Sequence, residues 1–75
     1  MNTPSAAQIR SARHTSGLTQ RGAAALVHLR APQRWAEYEN GARRIDLARW
    51  ELFLLKTGLH ERAQIINGMI VIAKE

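Results

Sequence analysis

The sequence contains no cysteine, so neither disulfide bonds nor thiolate-bound metals can stabilise the fold. Its three histidines, His14, His28 and His60, have spacings that fit no zinc site. No apolar run approaches the roughly 18 residues that a membrane-spanning helix needs. The N-terminal residues lack the basic start and apolar stretch of a signal peptide. We therefore expect a cytoplasmic protein without a metal centre, stabilised by packing and by a partner subunit.

Residue sets for catalysis are also missing. The 75 residues allow one domain with one modest core, which excludes a barrel, a doubly wound sheet or a two-domain enzyme. No Ser–His–Asp set, no paired carboxylates in a pocket and no glycine-rich phosphate loop can be built from this sequence. We therefore expect no enzyme activity, no cofactor and no small-molecule ligand, and the chain has no room for a ligand-sensing domain.

Acidic residues are scarce where basic residues are abundant. Residues 1–49 contain eight arginines and only three acidic residues, whereas residues 50–75 contain three of each sign. The net charge of +5 therefore comes wholly from arginine in the first two-thirds of the chain. Arginine makes bidentate contacts with phosphates and base edges, so a polyanionic partner is favoured. The scarcity of aromatic residues, 5% of the chain, counts against single-stranded RNA, which is bound largely by stacking.

Apolar spacing and capping residues predict an all-α architecture of four to five helices. The first helix follows a cap at Ser5 and extends to about His14. The fourth helix spans roughly residues 47–57 behind a cap at Asp46, and a fifth short helix is predicted over residues 59–64. The predicted buried stripe of the fourth helix consists of Leu47, Trp50, Phe53 and Leu54.

The C-terminal tail has a different composition from the rest. β-Branched and other apolar residues lie on both sides of Asn67-Gly68, which is the strongest short signal for a β-hairpin. The alternatives are a strand exchanged across a two-fold axis and a last core helix broken at Gly68. As a β element the tail is too apolar for a small monomer to expose, so residues 59–75 are predicted to form a dimerisation segment. The predicted interface residues are Ile65, Ile66, Met69, Ile70, Val71 and Ile72.

The central segment, residues 17–45, is predicted to form a helix, a tight break and a second helix. The first of these helices follows a cap at Thr19 and is alanine-rich, so another helix can cross it closely. The second begins at Pro32, whose missing N–H costs nothing in a first turn. Trp35 and Tyr38 share one face of it and should point inward. This is the layout of a helix-turn-helix, whose second helix enters the major groove of DNA.

The outer face of that second helix carries side chains suited to base recognition. Gln33 can make bidentate contacts with adenine, and Arg34 can make them with guanine. Glu37, one turn further, has two interpretations. It can accept a hydrogen bond from cytosine N4, or it can hold Arg34 or Arg30 in place. By contrast, Arg10 and Arg13 are assigned to the solvated face of the first helix.

Several motifs also occur in a characteristic order. They are Gly17-Leu18-Thr19-Gln20, then Ala24, then Trp35, then Tyr38-Glu39-Asn40-Gly41 with a basic pair close behind. Together, over about residues 5–58, they resemble the Cro/CI (XRE) family of helix-turn-helix repressors. The runs WAEYENGARR (35–44) and WELFLLK (50–56) are similar to small phage-borne regulators, including autorepressors encoded beside anti-CRISPR genes.

This resemblance implies a homodimeric (auto)repressor that binds an inverted-repeat operator in double-stranded DNA. It assigns Gln33, Arg34 and Glu37 to base edges, and it matches Glu39 to a glutamate with a structural role. The predicted phosphate contacts are Gln20, Arg30, Asn40, Arg43 and Arg44.

The sequence departs from the family pattern at two places. Pro32 stands where the family often has a polar base-reading residue. The break between the two helices is one residue longer than usual and has no glycine at position 28. The register of the base-facing side chains therefore stays open by one residue.

A second function from another class also fits the sequence. The apolar tail, residues 65–72, could dock on another protein, as in an antitoxin that neutralises a partner and also binds DNA. A homodimer of the isolated chain favours the repressor, whereas aggregation until a second protein is added favours the antitoxin.

Overall fold

The computed structural model describes residues 3–72 of the chain. Within these residues, four helices are followed by a two-stranded antiparallel sheet, and the fold is mostly helical. The elements are α1 (Ala6–Thr15), α2 (Gln20–Leu26), α3 (Pro32–Asn40), α4 (Leu47–Thr57), β1 (Ala63–Ile66) and β2 (Met69–Ile72). Residues 73–75 of the predicted dimerisation segment lie outside the described residues.

Three of the four helices begin at the predicted caps. The Ser5 hydroxyl accepts a hydrogen bond from the Gln8 N–H at 3.1 Å, and the Gln8 side chain accepts from the Ser5 N–H at 2.8 Å. The Thr19 hydroxyl caps α2, and the Asp46 carboxylate caps α4 in the same way. Each cap satisfies an N–H that the first turn of a helix leaves without a partner. These helix starts are confirmed.

The C-terminus of α2 is stabilised by the turn that follows it and by hydrogen bonds from side chains of α4. His28 adopts a left-handed conformation, with φ of 63°, so it fills the place that a glycine usually takes. Two carbonyls that the helix leaves free accept side-chain hydrogen bonds, Leu26 O from Lys56 Nζ at 2.8 Å and Val27 O from Arg49 Nε at 3.1 Å. Cations at a helix C-terminus also interact favourably with its dipole. The break before α3 is therefore held in one geometry.

The core lies where α1, α2, α3 and α4 meet. Trp35 and Phe53 are fully buried, with ring centroids 4.9 Å apart, and Trp35 also packs edge-on against Tyr38. The buried apolar residues of this cluster are Ile9, Ala23, Ala24, Val27, Trp35, Tyr38, Ile45, Trp50 and Phe53. The predicted inward position of Trp35 and Tyr38 is confirmed.

The predicted buried stripe of α4 is wrong at Leu47, whose side chain is exposed. Leu47 is the first residue of its helix, and the core at this end is filled by Ile45, which precedes the cap and is 1% exposed. Helical spacing identifies residues on one face of a helix, but it does not show how far along the helix that face is covered by other parts of the core. Leu54 is partly buried against the core.

The predicted hairpin is confirmed, and the alternative of a broken core helix is wrong. Asn67 and Gly68 both have positive φ, 51° and 78°, as the two central residues of a tight hairpin turn require. β1 and β2 pair antiparallel within the chain, with Ile65 opposite Ile70. Three β-branched residues in β2 also favour a strand over a helix.

The predicted fifth helix over residues 59–64 is wrong. α4 ends at Gly58 in a left-handed conformation, and β1 begins at Ala63. Between them, the His60 ring nitrogen Nδ1 accepts from the backbone N–H groups of Arg62 and Ala63 at 3.1 and 2.9 Å. The His60 side chain thus accepts hydrogen bonds from backbone N–H groups that would donate to backbone carbonyls in a helix. The helix does not continue, and the chain leads into the hairpin.

Candidate nucleic-acid interface

The outward face of α3 carries the predicted base-reading side chains. Gln33 and Arg34 are exposed, whereas Trp35 is 0% and Tyr38 is 3% exposed. The two rings therefore anchor the helix from behind and leave its opposite face in solvent. Pro32 begins the helix, and Gly41 ends it in a left-handed conformation with φ of 81°. A side chain other than glycine is strained at that φ, so the chain leaves α3 at a defined point.

Glu37 lies between two arginines on this surface. Its Oε1 atom is 3.3 Å from Arg34 Nε and 3.4 Å from Arg43 Nε. All three side chains are between 41% and 50% exposed. The interpretation in which Glu37 holds Arg34 thus has a geometric basis in the structure. Its second partner is Arg43, from beyond the helix, rather than Arg30.

Three predicted phosphate ligands lie at the C-terminal end of α3, one in its last residue and two in the segment that follows. The Asn40 side chain accepts from the Ala42 N–H at 2.8 Å, and the Arg43 N–H donates to the Glu37 carbonyl at 3.2 Å. These two bonds fold the segment back against the helix end. Asn40, Arg43 and Arg44 are all exposed. They lie where a phosphate beside the helix could be reached.

Arg30 lies at the opposite end of α3. It is exposed and lines an open groove of about 610 Å³ beside the start of the helix. The groove is also lined by Gln33, Arg34 and Glu37 from α3 and by Arg49 from α4. Positive side chains therefore flank the outward face of α3 at both of its ends.

Gln20 takes a different position from the other predicted phosphate ligands. It is the first residue of α2 and is half-buried, and its Nε2 donates to Glu39 Oε1 at 3.2 Å. The side-chain amide is therefore already engaged with a neighbouring helix. Its phosphate contact stays a prediction, and its observed contact serves the packing of α2 against α3.

Glu39 is the centre of a buried polar network behind the interface. Its carboxylate is 3% exposed and accepts hydrogen bonds from Arg13 of α1, Gln20 of α2 and the Trp35 indole of α3. Arg13 Nη2 lies 3.0 Å from Glu39 Oε1, and Arg13 Nη1 also donates to the Leu18 carbonyl at 3.0 Å. One carboxylate thus joins three helices.

The assignment of Arg13 to a solvated helix face is wrong, because its side chain is only 13% exposed. Arg10 is 58% exposed, although its Nη2 donates to the Glu39 carbonyl at 3.3 Å. A signal for the buried pair was present in the sequence. Arg13 lies four residues after Ile9, and Glu39 lies four residues after Trp35, so each shares a helical face with a core residue.

The network sets the ionisation of its members. Burial raises the pKa of Glu39, but hydrogen bonds from Arg13, Trp35 and Gln20 outweigh burial, and the net pKa is below its ordinary value. The hydrogen bond to Glu39 raises the pKa of Arg13. Both groups are therefore charged at neutral pH, and their attraction is screened little by solvent.

The stability of the protein is expected to fall in acid because of Glu39. A carboxyl whose pKa is depressed in the folded state adds stability above its ordinary pKa, and this stability is lost as the pH falls through the folded value. The stability difference between wild type and Glu39→Gln should be constant near neutrality and shrink below about pH 4.5. Urea midpoints measured across pH test this, with exposed Glu61→Gln as the control. A difference that stays constant into acid would contradict it.

The predicted dimer-interface residues remain exposed in the single chain. Their exposed fractions are Ile65 44%, Ile66 45%, Met69 68%, Ile70 62%, Val71 39% and Ile72 67%. Paired residues of an antiparallel hairpin share a face, and here both faces are apolar. β1 packs against α4 near the buried Ala63, but most of both faces stays exposed, and a two-stranded sheet exposed in this way is at best marginally stable in water. The hairpin is thus the largest apolar surface among the described residues that packing leaves uncovered.

The described residues offer neither a metal-binding cluster nor a membrane-spanning helix. Within residues 3–72, no three His, Cys, Asp or Glu side chains are grouped so that they could hold a metal ion. None of the described helices is long and apolar enough to cross a membrane. No protein-family model matches this chain, and no curated protein matches it either.

Proposed function

We propose that this protein is a sequence-specific double-stranded DNA-binding regulator with a helix-turn-helix of the Cro/CI (XRE) type, formed by α2, the following turn and α3. The observation that carries the proposal is the anchoring of α3. Two buried rings fix the helix while Gln33 and Arg34 project from its opposite face. A rigid helix with exposed amide and guanidinium groups suits insertion into a major groove.

The charge distribution supports the same function. Arg30 at one end of α3 and Arg43 and Arg44 beyond the other end flank the base-reading face. Arginines at both ends of a recognition helix can bind phosphates on either side of the groove. In this proposal Arg34 and Gln33 supply specificity, and the flanking arginines supply most of the affinity. The protein acts by binding, without catalysis.

Binding of duplex DNA is expected to depend on both sequence and salt. A duplex selected by the protein from a random-core library should bind more tightly than a scrambled duplex in fluorescence anisotropy. Each neutralised phosphate contributes a slope of roughly −0.9 in log affinity against log salt, so three arginines predict about −3 per protomer. Equal affinity for all duplexes would contradict sequence-specific binding. A slope near zero in log affinity against log salt would contradict the assigned phosphate contacts.

The hairpin supports a homodimer as the binding unit. A second copy would cover the apolar faces of β1 and β2, and self-association of identical hairpins gives a two-fold axis. Two recognition helices related by such an axis and spaced about 34 Å apart fit successive major grooves of an inverted repeat. We infer that a dimer accumulates with expression and occludes its own promoter, as the resemblance to phage autorepressors implies.

The oligomeric state should depend on the apolar hairpin residues. Ile70→Asp places a charge in the proposed interface, so the chain should elute as a monomer in size-exclusion chromatography with light scattering, whereas wild type should have twice the chain mass. Asn67→Asp is the matched control, since it places the same charge in the turn outside the paired strands, where Asp-Gly also suits the turn. A monomeric wild type, or one that aggregates until another protein is added, would instead support the antitoxin-like alternative.

A further inference from the structure

The ion pairs of Glu37 join two parts of the interface that are separate in sequence. Arg34 lies on the same helix, whereas Arg43 lies beyond its end, and both approach the same carboxylate oxygen, at 3.3 and 3.4 Å. The backbone reinforces the link, because the Arg43 N–H donates to the Glu37 carbonyl at 3.2 Å. Glu37 is thus bonded to Arg43 through both its side chain and its main chain.

The atoms in contact determine which N–H donors of each arginine are still available to a second partner. In both ion pairs the arginine atom nearest to Glu37 is Nε. A guanidinium carries five N–H donors in a planar fork, and a second partner can still be bound by the terminal nitrogens. A bidentate contact with guanine or phosphate needs two such donors. Contact through Nε therefore orients Arg34 and Arg43 without using up their terminal donors.

The charge of Glu37 also bears on binding to arbitrary DNA. An unpaired carboxylate is repelled by the phosphates on both sides of a groove. If Arg34 turned away to bind a phosphate, the negative charge of Glu37 would be less well neutralised at the DNA surface. A contact in which Arg34 keeps Glu37 as a partner and binds a base edge avoids this repulsion. The arrangement thus penalises non-specific binding more than specific binding.

We propose that Glu37 is a positioning residue that holds Arg34 and Arg43 with their terminal donors directed at the DNA, and that it is not itself a base reader. This inference rests on the proposed DNA-binding function. In this inference Arg34 makes the contact that selects guanine, and Glu37 increases the selectivity of that contact by holding Arg34 in position.

The test is a comparison of wild type with Glu37→Gln, which keeps the size of the side chain and removes its charge. The probe is the duplex that wild type selects from the random-core library, together with the same duplex altered at the guanine that requires Arg34. Glu37→Gln should lower the affinity ratio of these duplexes at least about threefold, and it should bind scrambled duplex more tightly. Glu61→Gln removes a charge from an exposed residue outside the interface and should leave the ratio unchanged.

Two additional variants separate positioning from direct reading. In the Arg34→Ala background, Glu37→Gln should not lower the ratio further, because the residue acts through Arg34. Glu37→Asp should restore part of the preference. In the free protein, Glu37→Gln should shift the Nε–H resonances of both Arg34 and Arg43 in NMR spectra, whereas Glu61→Gln should not.

Three results would overturn the inference. One is a wild-type-like ratio in Glu37→Gln. Another is that Glu37→Gln changes the preference at a different base pair, and does so in the Arg34→Ala background as well, since Glu37 would then contact cytosine itself. A wild-type chain that selects no sequence would overturn the proposed function as well, whereas the first two results leave that function intact.

Discussion

Glu39→Ala is expected to lower the free energy of unfolding by about 3–5 kcal/mol. The change removes the acceptor shared by Arg13, Gln20 and the Trp35 indole, and it leaves a guanidinium that is 13% exposed without its carboxylate. Among the described residues, no fully buried side-chain nitrogen or oxygen lacks a hydrogen-bond partner, and this substitution would leave such groups without their acceptor. Urea denaturation followed by circular dichroism measures the effect.

Glu37→Ala on the same helix is the control for this prediction. Glu37 also forms ion pairs, but its side chain is 41% exposed, and exposed ion pairs contribute roughly 1 kcal/mol or less. The double replacement of Arg13 and Glu39 by methionine should cost less than the sum of the single changes, because no buried charge is left alone. If Glu39→Ala were no more destabilising than Glu37→Ala, the network would not be a main support of the fold.

The second large effect is expected for DNA binding by Arg34→Ala. Loss of a bidentate contact to guanine should weaken binding to the selected duplex by about 1–3 kcal/mol, which is roughly 5- to 150-fold. It should also flatten the preference at one base pair and leave the others unchanged. Anisotropy titrations against the selected duplex and its single-base variants measure both effects.

Arg44→Ala is the matched comparison, since it removes the same side chain from a position assigned to phosphate. It should weaken binding to all duplexes alike and reduce the salt slope by about one. The two variants therefore differ in kind as well as in size. If Arg34→Ala left the titration unchanged, the assigned register of the base-facing residues would be wrong, by the one residue that the longer break before α3 allows.

Much of the fold could be predicted because its signals are local. The caps at Ser5, Thr19 and Asp46 are side chains that bond within three residues of their own position. The Asn-Gly turn likewise depends on the intrinsic tolerance of those two residues for positive φ. The error at Leu47 has another origin, because it depends on where the core ends, which spacing along one helix does not encode. In residues 59–64 the bonds that displace the helix are local, but they come from the His60 ring, whose acceptor role the helical pattern does not reveal.

The candidate interface was predictable in part for the same reason. The outward position of Gln33 and Arg34 follows from the inward position of Trp35, because residues on one helix have fixed angular relations. The partners of charged residues do not follow in this way. Glu37 had two open interpretations, and its distance to Arg43 depends on how the chain turns after Gly41.

The sequence by itself determined where three helices are capped, that the Asn67-Gly68 pair favours a tight turn, and which side of α3 faces solvent, since capping, turn formation and helical periodicity act over a few residues. Only the tertiary structure decided that Arg13 is buried and that Glu37 joins Arg34 to Arg43. Arg13 and Glu39 are 26 positions apart, and they meet because α1 and α3 pack against the same core. Electrostatic partners are chosen by proximity in space, and that proximity exists only after the apolar faces have come together.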